Sequence, residues 1–253
     1  MGEHIARATP TKKKSSNIFW NIVGVIGELL ITFAFVIGLF SVWQLYWTTY
    51  QVAGQVTQTI ASYEEEHQPS KRTQGETRTD APPEFTREVA SGEVYGLVHV
   101  PTWDWMKIPL AEGTTSYVLD QGWAGHYDMT TQPGGVGNFS VAGHRRTYGN
   151  NFRWIDRLTQ GDKVVVEVDD RYLVYSMVSS EIIDATDPTQ MRVVAPVIDD
   201  ESWSEVPTER WMTMTTCHPE YGNWQRYIVH LKFESWTPKD TGVPAELVDE
   251  PTN

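Results

Sequence analysis

RWMTMTTCHPEYGNWQRYIVHLKF, residues 210–233, reads as two extended segments joined across a loop. RWMTMTTC and QRYIVHLKF are rich in Thr, Met, Ile and Val with a period of two, and HPEYGNW between them carries the Pro, Gly and Asn that interrupt a strand. If Cys217 lies opposite Arg226, the paired positions sum to 443, which sets Thr216 opposite Tyr227, Met214 opposite Val229 and Met212 opposite Leu231. That register keeps apolar side chains on one face along the whole hairpin. Because side chains on a strand alternate, Cys217, Thr215 and Thr213 share the other, mostly polar face with Arg226, Ile228 and His230.

The same grammar extends outward. VYGLVHV (94–100), NFSVAGH (138–144), DKVVVEV (162–168), RYLVYSMV (171–178) and RVVAPVI (192–198) are short runs of the strand type, separated by turn signals such as QPGGVGN and TQGD. Only NNFRWIDRLT, 150–159, has a helical pattern, and it is short. Seven or so strands with few helices predict an all-β domain over residues 94–237, a closed or nearly closed barrel or a sandwich.

Upstream the chemistry changes. Residues 18–47 form an almost uninterrupted apolar run, and about 20 such residues suffice for a helix to cross a bilayer. A cleaved signal peptide has a shorter apolar stretch and a small-residue cleavage site, whereas Tyr46 and Trp47 close this run. The expectation is an uncleaved anchor. Arg7, Lys12, Lys13 and Lys14 lie in the tail before it, residues 1–17, so the positive-inside rule places the amino terminus in the cytoplasm and everything after residue 48 outside. Glu28 is the one ionisable group in the run, read either as a contact with a partner helix or as a tolerated near-interface residue. Residues 48–61 extend the helix outward, and residues 62–93 are charged, Pro-containing and poor in apolar groups. The segment 48–93 is therefore expected to be a spacer, and the polar end, 238–253, a frayed tail.

The first 48 residues hold four basic and two acidic groups. Taking these from the chain's 20 and 33 leaves 16 basic and 31 acidic residues outside, a net charge of −15. Such a surface repels phosphate backbones, which argues against nucleic acid as a partner.

Cys217 is the only cysteine, so an exported domain has no internal disulfide to form with it, and an unpaired thiol outside the cell is a liability unless buried or used. Among seven histidines, His4 is cytoplasmic, His67 lies in the spacer, His99 sits inside a strand and His230 lies well down the hairpin. His218 neighbours the thiol in sequence but faces the other side of the strand unless the chain turns at Pro219. His126, in a loop, and His144, at a strand end, remain as partners, and composition does not separate them.

TMTTC followed by Arg226 resembles the signature of sortases, the membrane-anchored cysteine transpeptidases of Gram-positive cell walls, in which the nucleophile follows Thr-Leu-x-Thr; Met214 stands in for the Leu. VGNFSVAGHRRTYGNNFRWIDRLTQGDKV, 136–164, is similar to that family's His-bearing segment, and GELLITFAFVIGLFSVWQLYWT, GLVHVPTWDWMKIPLAEGT and GHYDMTTQPG are similar to its class E, the actinobacterial branch. The resemblance implies a closed eight-stranded β-barrel with short helices. It also implies Cys217 as nucleophile, His144 as acid/base and Arg226 as the oxyanion or substrate group. By the same resemblance the partners are secreted proteins bearing an LPxTG- or LAxTG-type sorting signal and an amine of a peptidoglycan precursor such as lipid II, with no metal or cofactor. A membrane-bound peptidase that only hydrolyses, a pilus-assembling sortase, and a non-enzymatic wall-binding barrel with a structural thiol are the alternatives.

Overall fold

The computed structural model describes residues 18–251, so the basic tail, 1–17, and the last two residues lie outside the described residues. The chain divides into two units, Met1–Trp43 and Gln44–Asn253. Helix α1, Ile18–Glu66, runs through both. Its apolar portion reaches a mean hydropathy of 2.4 over 18 residues with none of that window buried, which makes it a candidate membrane span. A helical stretch that is apolar all round and exposed along its length matches lipid as solvent.

The second unit is a closed barrel of eight strands: β1 Val94–Val100, β2 Met106–Glu112, β3 Ala124–His126, β4 Gly137–Ala142, β5 Lys163–Val168, β6 Arg171–Asp184, β7 Arg210–His218 and β8 Gln225–Pro238. Around the barrel they follow the order β1-β2-β3-β4-β7-β8-β6-β5, with β5 closing on β1. The β2–β3 and β4–β7 pairs are parallel and the rest antiparallel. Closure gives every strand a neighbour on both sides.

The β7–β8 hairpin has the register expected from its alternation, with Met212 opposite Leu231, Met214 opposite Val229 and Cys217 opposite Arg226. Met212, Met214, Val229 and Leu231 are fully buried in the core with Val98, Ile108, Phe139 and Leu173. The other face was expected to be mostly polar; its Thr213, Thr215, Ile228 and His230 are buried under the long β6–β7 connection, while Cys217 and Arg226 at its end stay half-buried. Ile228 packs with Ile183, Val193 and Val194. Beside them Thr213 Oγ1 donates to Asn138 Oδ1 at 2.8 Å, and Asn138 Nδ2 donates to the carbonyls of Val193 and Ala195 at 3.1 Å. Asn138→Leu is therefore expected to lower stability by about 1–3 kcal/mol in thermal melts, since it strands the two carbonyls and leaves the Thr213 hydroxyl only His230 as a partner.

Three readings of the sequence are corrected. RVVAPVI is not a strand: residues Pro188–Val194 form a 3-10 helix whose start Asp187 caps through the Thr189 N–H. Pro188 at the start of this helix and Pro196 just after it oppose a ladder there. MKIPLAE and AGH are strands that alternation did not reveal, the first because Pro109 interrupts it and the second because it is three residues long. His126, expected in a loop, ends β3.

The stretch 48–93 also differs from a free spacer. Thr48, Val52 and Tyr63 are buried and Val56 and Ile60 half-buried, a stripe at helical spacing along α1. Beyond Glu66 the chain is tied down by its backbone: Gly75 N–H donates to Val243 O at 2.8 Å, and Arg78 and Trp236 exchange both bonds at 2.8 Å. In the tail, Val243 and Leu247 are buried against Val165, Tyr172 and Val174. Apolar content alone undercounts this docking, because the segment satisfies its peptide groups on the barrel.

Charge completes it. His99 lies between Glu167 and Glu250, each at 2.8 Å, while Lys239 meets Glu167 at 2.7 Å and Lys107 meets Glu250 at 3.2 Å and Glu64 at 2.5 Å. Burial opposes charge on His99, but the two carboxylates outweigh it and push its pKa up to about 9. A cavity of about 660 Å³ opens beside this cluster, near Tyr172 and Glu250. It lies at the Pro238 end of β8, far from Cys217, and contains none of the candidate catalytic residues.

Candidate active site

Two registers converge on Cys217. In the parallel pair, β4 and β7 keep a constant offset of 73, from Gly137 opposite Arg210 to Ala142 opposite Thr215. The alignment continues past the strand: Gly143 N–H donates to Thr215 O at 3.1 Å, and Thr216 Oγ1 returns a bond to Gly143 O at 2.6 Å. The next step of the same offset sets His144 level with Cys217. On the opposite side of β7, the hairpin register sets Arg226 level with Cys217. His144 thus follows two residues after the end of β4, level with Cys217 by the continued offset, while Arg226 faces Cys217 across the β7–β8 ladder.

Each member is held by its surroundings. Cys217 is half-buried and is a free thiol. Arg226 Nη1 donates to the carbonyls of Asn223 at 2.7 Å and Gln225 at 2.9 Å, which anchors one end of the guanidinium to the β7–β8 loop. The ring of His144 lies 5.3 Å from that of Tyr148, and its Nε2 is 2.8 Å from Asp120 Oδ1. Asp120 was not legible in the sequence, because it belongs to a turn after the four-residue helix α2, Ser116–Leu119, with no motif of its own. Tyr127 was missed as well. Its hydroxyl is 2.9 Å from Thr215 Oγ1, and burial raises its pKa, with the Cys217 thiol adding to the rise and Thr215 and Arg226 opposing it.

The other histidines among the described residues are engaged elsewhere. His126 is fully buried, with Nδ1 2.8 Å from Glu112 Oε2 and Nε2 3.0 Å from the Thr131 carbonyl. His230 lies between Thr213 and Glu181, and burial lowers its pKa. His67 stacks on Tyr63 at 4.2 Å. His218 accepts a bond from Arg145 Nη1 at 2.8 Å, while Arg145 Nη2 reaches Asp156 at the same distance. Burial and the Arg145 charge both lower the His218 pKa, which suits a neutral acceptor.

His218→Ala would leave a donor of the buried Arg145 unpaired. It is expected to cost about 1–3 kcal/mol of stability. Its turnover loss should be far smaller than that of His144→Ala, and melting curves beside peptide-cleavage rates check both parts.

Among the described residues no group of three or more His, Cys, Asp or Glu side chains is arranged to hold a metal ion. What these residues can do is nucleophilic chemistry: a free thiol, an imidazole braced by a carboxylate, and a guanidinium held by two carbonyls.

Residues 98–234 match the sortase domain family. The chain is 36% identical over 229 residues to sortase SrtE1 of Streptomyces coelicolor, in an alignment covering 88% of this chain and 60% of that protein. It is 30% identical over 223 residues to sortase SrtE2 of the same organism, covering 86% and 84%. Among solved structures, the SrtA sortase from Actinomyces oris is 43% identical with a TM-score of 0.64, covering 70% of this chain and all of that one. Sortase E1 from Streptomyces coelicolor with a tripeptide in its active site is 39% identical with a TM-score of 0.55, covering 63% and 99%. With the eight-stranded barrel in common, the chain belongs to the sortase family and stands close to its class E members.

Proposed function

We propose that the chain is a membrane-anchored transpeptidase that cleaves the Thr-Gly bond of an LPxTG- or LAxTG-type sorting signal and transfers the protein to an amine of a cell-wall precursor of the lipid II type. The observation that supports this reading is the pairing of Cys217 with Arg226 across β7 and β8, with the β4–β7 offset continuing to set His144 level with Cys217.

In this reading the Cys217 thiolate attacks the threonine carbonyl carbon. The charge that develops on the carbonyl oxygen is met by Arg226, a preorganised cationic donor. His144 gives its proton to the departing glycine nitrogen, the C–N bond breaks, and a thioester remains on Cys217. An incoming amine then attacks the thioester carbon, passes a proton to His144 and restores the thiolate. The apolar part of α1 anchors the enzyme, and the basic residues before it orient the barrel outside the cell.

The test uses the full chain in detergent micelles with a panel of sorting peptides, with and without a diamine, and products identified by mass. Cleavage between Thr and Gly with an amide product when the diamine is present is the expected result. Products of water attack alone, whatever the amine concentration, point to the hydrolytic peptidase, and an uncleaved panel overturns the proposal.

A further inference from the structure

The face of α1 that lies on the barrel touches the two turns that surround His144. One is the turn after α2, where Asp120 places Oδ1 2.8 Å from His144 Nε2 and where Gly122 adopts a φ of +78°. The other runs through Tyr148 and Gly149, and the Tyr148 ring lies 5.3 Å from that of His144. A Cβ on Gly122 would come within 2.9 Å of Val56 Cγ2, 3.0 Å of Tyr148 O and 3.4 Å of Val52 Cγ2. One on Gly149 would lie 3.5 Å from Val52 Cγ2. Polar contacts follow the same path: Gln55 Nε2 donates to Gln121 Oε1 at 2.7 Å, and Asn151 Nδ2 ties the second turn to Trp123 O of the first at 2.8 Å.

An ionised carboxylate only accepts hydrogen bonds, so Asp120 holds the proton on His144 Nε2 and leaves Nδ1 as the nitrogen that exchanges a proton with the reacting groups. The side chains of His144 and Asp120 keep 25% and 35% of their exposure, so solvent screens the charge, and orientation is the larger part of the effect. We propose that Asp120 is a positioning residue for His144, and that Val52 and Val56 of α1 back the turn that carries it, so that the helix segment beyond the span is part of the working enzyme. This rests on the transpeptidase reading of His144.

Misplacing a catalytic group by about 1 Å costs on the order of 100-fold in rate. For the full chain in micelles, Asp120→Ala is expected to lower kcat about 10- to 100-fold with KM within about twofold, because Asp120 orients the acid/base and binds no substrate. Asp120→Asn keeps an acceptor oxygen and should recover at least about threefold over Asp120→Ala. Val52→Ser with Val56→Ser is expected to lower kcat about tenfold, again without a KM change. Gln51→Ala, on the exposed face of the same helix, should match the parent chain.

If the serine pair loses its cooperative melt, Val52→Ala with Val56→Ala carries the same expectation for kcat. A kcat of Asp120→Ala within twofold of the parent, an equal loss spread into KM, or a helix pair as active as Gln51→Ala overturns the brace. Parent turnover separates the two proposals. Its absence overturns both, whereas parent turnover with unaffected variants overturns the brace alone.

Discussion

Cys217→Ala is expected to reduce turnover of a sorting peptide to background and to remove the thioester adduct seen by mass in the parent chain. The loss should be chemical rather than structural. Cys217 is half-buried at the rim of β7 and takes no part in the apolar core, so the melting temperature of the variant should stay close to the parent's. Arg226→Ala tests the residue facing Cys217 across the β7–β8 ladder. Removing one preorganised donor to a developing oxyanion costs about 100- to 1000-fold in kcat, and the guanidinium here is held by the Asn223 and Gln225 carbonyls rather than by a carboxylate that would spend its charge. His144→Ala should fall in the range of general acid–base catalysis, about 100- to 10,000-fold. Because the three act on one transition state, their effects are not additive, and Cys217→Ala with His144→Ala should be no slower than Cys217→Ala alone. Peptide cleavage that survives Cys217→Ala would sink the mechanism.

How much of this was written in the sequence depends on the range of the contact involved. The hairpin register is local: sequence alternation places Met212 and Met214 on one face and Cys217 opposite Arg226, and the structure has the same pairs. The placement of His144 level with Cys217 is not local. It depends on a parallel ladder between β4 and β7, 73 residues apart, which no short-range pattern encodes, and composition left His126 equally placed. Only the resemblance favoured His144; the structure then shows why His126 is occupied, held between Glu112 and Thr131 inside the barrel. Asp120 and the stripe on α1 were out of reach for the same reason, since each becomes meaningful only when two distant turns meet. The strap, residues 67–93, misled composition in the other direction, because peptide groups that pair with a preformed barrel need few apolar side chains to stay there.

The ionic cluster that fastens the end of α1 and the tail to the barrel should dominate the pH dependence of stability. His99 is raised to about 9 from its ordinary 6.5, so its contribution is fully present below 6.5 and is lost as pH rises towards 9. Burial opposes charge on Glu167, but His99 and Lys239 overcome it and lower the group to about 2 from its ordinary 4.5. Its contribution is therefore present above 4.5 and lost as pH falls towards 2. Both hold together between 4.5 and 6.5, where the chain is expected to be most stable. His99→Gln should flatten the decline between 6.5 and 9, which for the parent is on the order of 3 kcal/mol. Glu167→Gln is the harsher change, since it leaves the His99 and Lys239 cations buried against a neutral amide. Breaking a buried pair in this way costs about 3–5 kcal/mol, and at about 2–4 °C per kcal/mol for a domain of this size the melting temperature should fall by roughly 6–20 °C. Thermal melts of the full chain and both variants from pH 3 to 10 check the argument, and an alkaline decline in His99→Gln as steep as the parent's would show that the cluster does not carry it.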